Sequence, residues 1–423
     1  MIPLIIGIAV LQIYRFKKNK ISKSYFLHTF FYLLVFSLIF FRSVHNLLLL
    51  INVCFYSYFL FKVGIKLKWR KVKFEIYILI FFFIILLNTA LHIPYFKGID
   101  TFLHLLLYPV IFIGIKSEKV TISILKTIKI FITSVIVSLF YLIILNIYFK
   151  KTLFYTNTFF SEYLGVTHVY YGIFLGLTLC FLLAFKLKNI TYLNKRLDNI
   201  LFLFLFLALI HIGARTALLA VLLLVLISIY LKIKLIWYKK FIIIGLFLAS
   251  LFFVGYHTIP RFKSGLFSIK KVYTSIKLQN KQDIIHNSWR NMYQRYLVTK
   301  YTLKEIKKHY IVGIGIKNVK TKISNKIIKD GFIYFEPINS HNQYLDFLVG
   351  LGAPFFMFFL WLLIKFFKKF STNIFSVYYL IFFLIIMLTE SILVRAKGIS
   401  VFFLFYVLFS LKDNSSIKSD INV

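Results

Sequence analysis

Residues 201–231 read LFLFLFLALIHIGARTALLAVLLLVLISIYL. Apart from Arg215 the run carries no formal charge, and about 20 such residues cross roughly 30 Å of hydrocarbon at about 1.5 Å per residue. As one helix the run would be roughly 46 Å long, too much for a single upright crossing. It therefore reads as two short helices hinged at Gly213-Ala214-Arg215. An arginine placed in hydrocarbon costs about 2.5–3.5 kcal/mol on insertion scales, so Arg215 is expected to face a polar cavity or an anionic partner. Its planar guanidinium suits bidentate contact with phosphate oxygens. The alternative is that Arg215 reaches the headgroup level at a simple hairpin turn.

The rest of the chain repeats this signature. Hydrophobic residues make up 60% of it and aromatics 20%, and the mean hydropathy is +0.85, outside the range of soluble domains. The fold class expected is an all-α polytopic membrane protein with 12–13 transmembrane helices. Apolar runs centre near residues 9, 33, 52, 84, 107, 137, 176, 205, 223, 249, 353, 384 and 405. Both cysteines, Cys54 and Cys180, lie inside such runs, which excludes a disulfide framework and a metal knuckle. The first fourteen residues are apolar and precede Arg15, Lys17, Lys18 and Lys20, the reverse of a cleavable signal, so they read as a retained membrane segment. Basic clusters fall in alternate loops, which by the positive-inside rule sets the N-terminus outside and the C-terminus in the cytoplasm. The organisation expected is a ten-helix block over 1–257, an extracytoplasmic domain over 258–341, membrane helices over 342–411 and a cytoplasmic tail over 412–423.

The 258–341 stretch holds seventeen Lys and Arg against four acids, Asp283, Glu305, Asp330 and Glu336. Long segments translocate largely regardless of charge. A basic domain there implies an anionic substrate such as lipid phosphate or pyrophosphate, or a surface that lies on anionic headgroups. Nucleic acid is not expected, because the other basic residues are the topology signal. Trp289, Met292, Tyr293, Tyr296 and Leu297 recur at helical spacing while Arg290, Gln294, Lys300, Lys304 and Lys308 fall largely on other faces, which predicts an amphipathic helix from Ser288 to His309. Gly313 and Gly315 mark a tight turn, and no lysine-serine pair follows to make it a phosphate loop. Ser340 followed by Gln343 is a capping box, so a helix is expected there with His341 and Asn342 in its first turn. A helix N-terminus draws anions and disfavours protonation of an adjacent imidazole, which makes His341 a candidate general base. The structural alternative is a histidine that anchors at the headgroup level.

Several of these segments together resemble the O-antigen ligase and polymerase family of bacterial membrane proteins, over roughly residues 160–410. The resemblance is carried by Gly213-Ala214-Arg215-Thr216-Ala217, by Arg290-Asn291-Met292-Tyr293, and by Val312-Gly313-Ile314-Gly315. It continues in Ser340-His341-Asn342-Gln343-Tyr344-Leu345 with Gly350-Leu351-Gly352, and in Leu388-Thr389-Glu390-Ser391. Tyr293 stands where many members have tryptophan, and Tyr310 where proline usually precedes the glycine pair.

What the resemblance implies is a GT-C-like transferase that takes a glycan from undecaprenyl pyrophosphate at the periplasmic face of the bacterial inner membrane. The acceptor is a glycan, a lipid core or a protein. Arg215 and Arg290 are expected to hold the pyrophosphate and His341 to act as base, with inversion at the anomeric carbon. Asn342, Tyr344, Gly313, Gly315, Glu390, Arg395 and His168 form a second tier. No cofactor is expected, and without an Asp-x-Asp site no metal. Ligase, polymerase and protein O-oligosaccharyltransferase activities stay open. A lipid-linked glycan transporter is the non-enzymatic alternative, although no repeated halves are visible.

Overall fold

The computed structural model describes residues 2–18, 22–63, 72–92, 99–118, 120–148, 163–232, 245, 290–332, 335 and 337–411. Among them the chain is helical, with no strand. The helices run α1 (Ile2–Lys17), α2 (Lys23–Ser37), α3 (Arg42–Val63), α4 (Lys73–His92), α5 (His104–Ser117), α6 (Ile124–Tyr148) and α7 (His168–Leu187). Then follow α8 (Lys195–Ile212), α9 (Arg215–Lys232), α10 (Arg290–Lys308), α11 (Val319–Lys329), α12 (Gln343–Leu351), α13 (Ala353–Phe370), α14 (Ile374–Met387) and α15 (Ala396–Ser410). Short 3-10 turns over Ile99–Phe102 and Ile392–Val394 precede α5 and α15.

Among the described residues, α3, α4, α5 with its leading turn, α6, α7 and α9 are long and apolar enough to cross a membrane, and α14 and α15 are shorter apolar helices. The chain is a polytopic helical membrane protein. Of the expected spans, the one centred near residue 249 lies outside the described residues, as does 258–289. Helix α7 is apolar all round and buried along almost its whole length, the pattern of a central helix. Exposed Leu203, Leu207, Ile144 and Ile147 face outward from α8 and α6, where hydrocarbon is the fitting solvent.

Two glycine-governed breaks position the site. The first is the expected hinge: Gly213 caps α8 in the left-handed region, at φ 72°, and α9 restarts at Arg215. Helices α7 and α9 cross closely there because both present small residues. A Cβ on Gly172 would stand 2.1 Å from the Ala214 Cβ, and one on Gly176 would stand 3.3 Å from the Ala217 Cβ.

The second break corrects the reading of one run centred near residue 353. It is two helices, α12 and α13, separated at Gly352 with φ 86°. No side chain fits at Gly352, since a Cβ would lie 2.0 Å from the Ile311 carbonyl oxygen. The gap is filled by the 311–316 loop, whose Ile314 and Gly315 amides donate to the Val349 and Gly350 carbonyls at 2.9 and 3.0 Å. From α4, Asn88 clamps the same junction, donating to the Val312 and Gly350 carbonyls at 3.2 and 3.1 Å and accepting from the Ile316 amide at 3.1 Å.

The amphipathic helix forms over Arg290–Lys308 with its inner face rotated from expectation. Tyr293, Gln294, Leu297, Val298 and Tyr301 are buried, whereas Met292 is exposed and Trp289 lies outside the described residues. Tyr293, Leu297 and Val298 join Ile323 and Ile327 of α11, with Phe335 and Val349, in a small core apart from the main one. Glu305 of α10, itself buried, pairs with Lys326 of α11.

Candidate active site

His341 stands one residue before the cap of α12, not in its first turn. The cap is Asn342, whose side-chain oxygen accepts from the Leu345 amide at 3.0 Å. The expected Ser340–Gln343 box is not the device used. Ser340 Oγ instead accepts from the Asn342 amide at 3.1 Å, and Gln343 reaches across to accept from the Leu393 amide at 2.6 Å. A buried glutamine finds its partner on the neighbouring 3-10 turn because both are enclosed together.

His341 has φ 53°, a left-handed conformation that β-carbon residues adopt only under constraint. That backbone turns its ring toward Glu390, and Nδ1 lies 3.1 Å from Oε2. The other oxygen of Glu390 accepts from Arg295 Nη2 at 3.3 Å. A carboxylate thus bridges an imidazole and a guanidinium, and both His341 and Glu390 are partly covered, with side chains 27% and 15% exposed. With Glu390 accepting from Nδ1–H, the tautomer leaves the Nε2 lone pair for an incoming proton.

Asn342 donates to the Leu388 carbonyl at 3.0 Å and Tyr344 donates to the Leu384 carbonyl at 3.1 Å, so both fasten the end of α14 that leads into Glu390. Beneath them the Asp346 side chain of α12 is buried.

The hinge is tied to this place through Thr389, which donates to Thr216 at 2.7 Å. Arg215 and Glu390 therefore flank one hydrogen bond. Arg215 is exposed and not buried, since the break at Gly213 puts it on the first residue of α9 rather than midway along a helix. Arg290 opens α10, but its side chain lies outside the described residues.

The remaining sequence candidates are elsewhere. Gly313 and Gly315, at φ 75° and 88°, lie against the far end of α12 and against His92, where they serve backbone approach and not the His341 cluster. His168 is half-buried at the start of α7. Arg395 caps α15 with its guanidinium 5.8 Å from the centre of the Tyr170 ring.

Arg295 is a member of the cluster that the sequence pattern did not single out. A signal was present: only Arg261, Arg290 and Arg295 among the seventeen bases of the polar stretch are arginines, the residue suited to planar carboxylate pairing.

Residues 200–360 match the family model described as O-Antigen ligase. That match includes Arg215, Arg290, Arg295 and His341, while Glu390 lies beyond it. No curated protein matches the chain.

Proposed function

The chain belongs to the O-antigen ligase/polymerase family through residues 200–360, and from that premise we propose that it moves a glycan from undecaprenyl pyrophosphate to an acceptor at the outer face of the bacterial inner membrane. At the coarser level it is a membrane enzyme of ligase or polymerase type. The observation that carries the finer reading is the Arg295–Glu390–His341 chain fastened to the Arg215 hinge.

Glu390 holds the His341 ring, and Nε2 takes the proton of the acceptor hydroxyl. The freed oxygen attacks the anomeric carbon from the side opposite the pyrophosphate. As that bond forms, the bond to the leaving oxygen breaks, the configuration inverts, and undecaprenyl pyrophosphate departs as an anion. Arg215, with Arg290, neutralises the charge that grows on it. Pyrophosphate is a good leaving group, so the scheme needs no general acid, and arginine charge takes the part a metal ion plays in other transferases.

The test is transfer in membranes carrying His341→Ala. Loss of product with normal insertion is expected, and full activity removes His341 as base. Arg215→Lys keeps the charge but loses the bidentate contact, so transfer should fall. Restoration of chelator-blocked transfer by magnesium would overturn the metal-free scheme.

The glycan profile of a deletion strain sorts the acceptor classes. Bare lipid core without long chains marks a ligase, one repeat unit per core a polymerase, and unglycosylated secreted protein a protein glycosylating enzyme.

A further inference from the structure

A second basic cleft lies outside the cluster just described. It has a volume of about 230 Å³ and is lined by Arg42, Thr101, Thr167, Tyr170, Arg395 and Lys397 among others. Two guanidiniums and a lysine amine thus share it. The carboxylate beside them is Asp100, whose Oδ2 accepts from Arg42 at 3.2 Å with both side chains half or more exposed, a pairing that contributes little charge compensation.

Lys397 is 8% exposed, and its side-chain nitrogen donates to the carbonyls of Leu38, at 2.7 Å, and Phe40. Among the described residues no carboxylate forms an ion pair with it.

The backbone adds to the same field. α3 begins at Arg42, α5 follows the turn bearing Thr101, α7 begins after Thr167, and α15 begins after Arg395. Each helix start carries about half a positive charge and unpaired amides. The caps Thr167 and Arg395 make no side-chain cap hydrogen bond, so their first-turn amides are not used that way.

We propose that this cleft binds a phosphoryl or diphosphoryl group, as a second anion site separate from His341, Glu390 and Arg215. Arginine supplies planar donors for the oxygens, Thr167 and Thr101 supply hydroxyl hydrogens, the Thr101 oxygen itself accepting from Lys317 Nζ at 2.9 Å, and the Lys397 side chain supplies N–H from below. The two places are coupled by one loop: Tyr170 of the cleft donates to the Ile392 carbonyl at 3.3 Å, and Leu393 next to it binds Gln343 beside Asn342. Such a group belongs either to a lipid headgroup or to a soluble phosphate compound.

The test uses the full chain with Arg215→Gln and His341→Ala already in place, so that binding at the first site is weakened. Inorganic pyrophosphate is titrated in neutral detergent, and retention of phosphatidylglycerol against phosphatidylcholine is measured in nanodiscs. Arg395→Gln and Arg42→Gln should each weaken binding on the order of tenfold, and the lysine variants should restore most of it. Arg395 is exposed, so Arg395→Gln decides the matter alone if Arg42→Gln fails to fold. Pyrophosphate binding that depends on these residues supports the site with a soluble source. Dependence seen only for phosphatidylglycerol supports it with a headgroup source. Binding of neither probe, or binding indifferent to both arginines, overturns the proposal.

Discussion

At the scale of single residues, Glu390 has the most to explain, since one carboxylate engages both His341 and Arg295. If its task is to fix the imidazole tautomer, Glu390→Gln should reduce kcat by on the order of 10²-fold while leaving donor KM nearly unchanged, and Glu390→Asp should recover part of the loss. A purely structural role would lower the unfolding midpoint instead and spare kcat per folded molecule. His341→Asn is the sharper companion variant, because asparagine tolerates the left-handed backbone at φ 53°. It should leave the fold intact while transfer drops roughly 10²–10⁴-fold, the range of a general base. Comparing initial rates with melting temperature in detergent separates the two effects.

At the scale of elements, the close crossing of α7 and α9 sets the height of the Arg215 hinge. Gly172→Ala places a methyl 2.1 Å from the Ala214 Cβ, and such overpacking costs about 1–3 kcal/mol. Ala214→Gly added to it should restore much of that stability, a non-additivity that a double-mutant cycle reads directly.

At the scale of the whole molecule, Asn88 joins α4, in the part of the chain outside the matched family segment, to the 311–316 loop and to the far end of α12, the helix that follows His341. Asn88→Leu would leave the buried Ile316 amide without its partner, at about 1–3 kcal/mol for a buried orphan group, and would remove one donor each from the Val312 and Gly350 carbonyls, of which Gly350 keeps the Gly315 amide. Both stability and transfer should decline although Asn88 is remote from His341, and a variant with normal activity would show that the junction at Gly352 holds without the clamp. Much of the architecture was legible in advance because the membrane imposes it: apolar length gives helices, and Gly213 between two such lengths gives the hinge. The polar stretch of high basic content was visible, and so was its helix, though Gln294 turned inward against the sequence pattern. His341 and Arg215 stood out by being polar where the surroundings are apolar. Their relation did not, since Glu390 lies 49 positions from His341 and Thr389 lies 173 from Thr216. Local sequence determined which segments become helices and which residues break them, because propensity and hydrocarbon length act over a few turns. Packing of the whole chain settled that Arg295 meets Glu390, that Asn342, not Ser340, caps α12, and that Gly313 and Gly315 lie against the end of α12 and His92. Those outcomes depend on which distant backbone groups and charges are enclosed together, and enclosure is a property of the packed bundle.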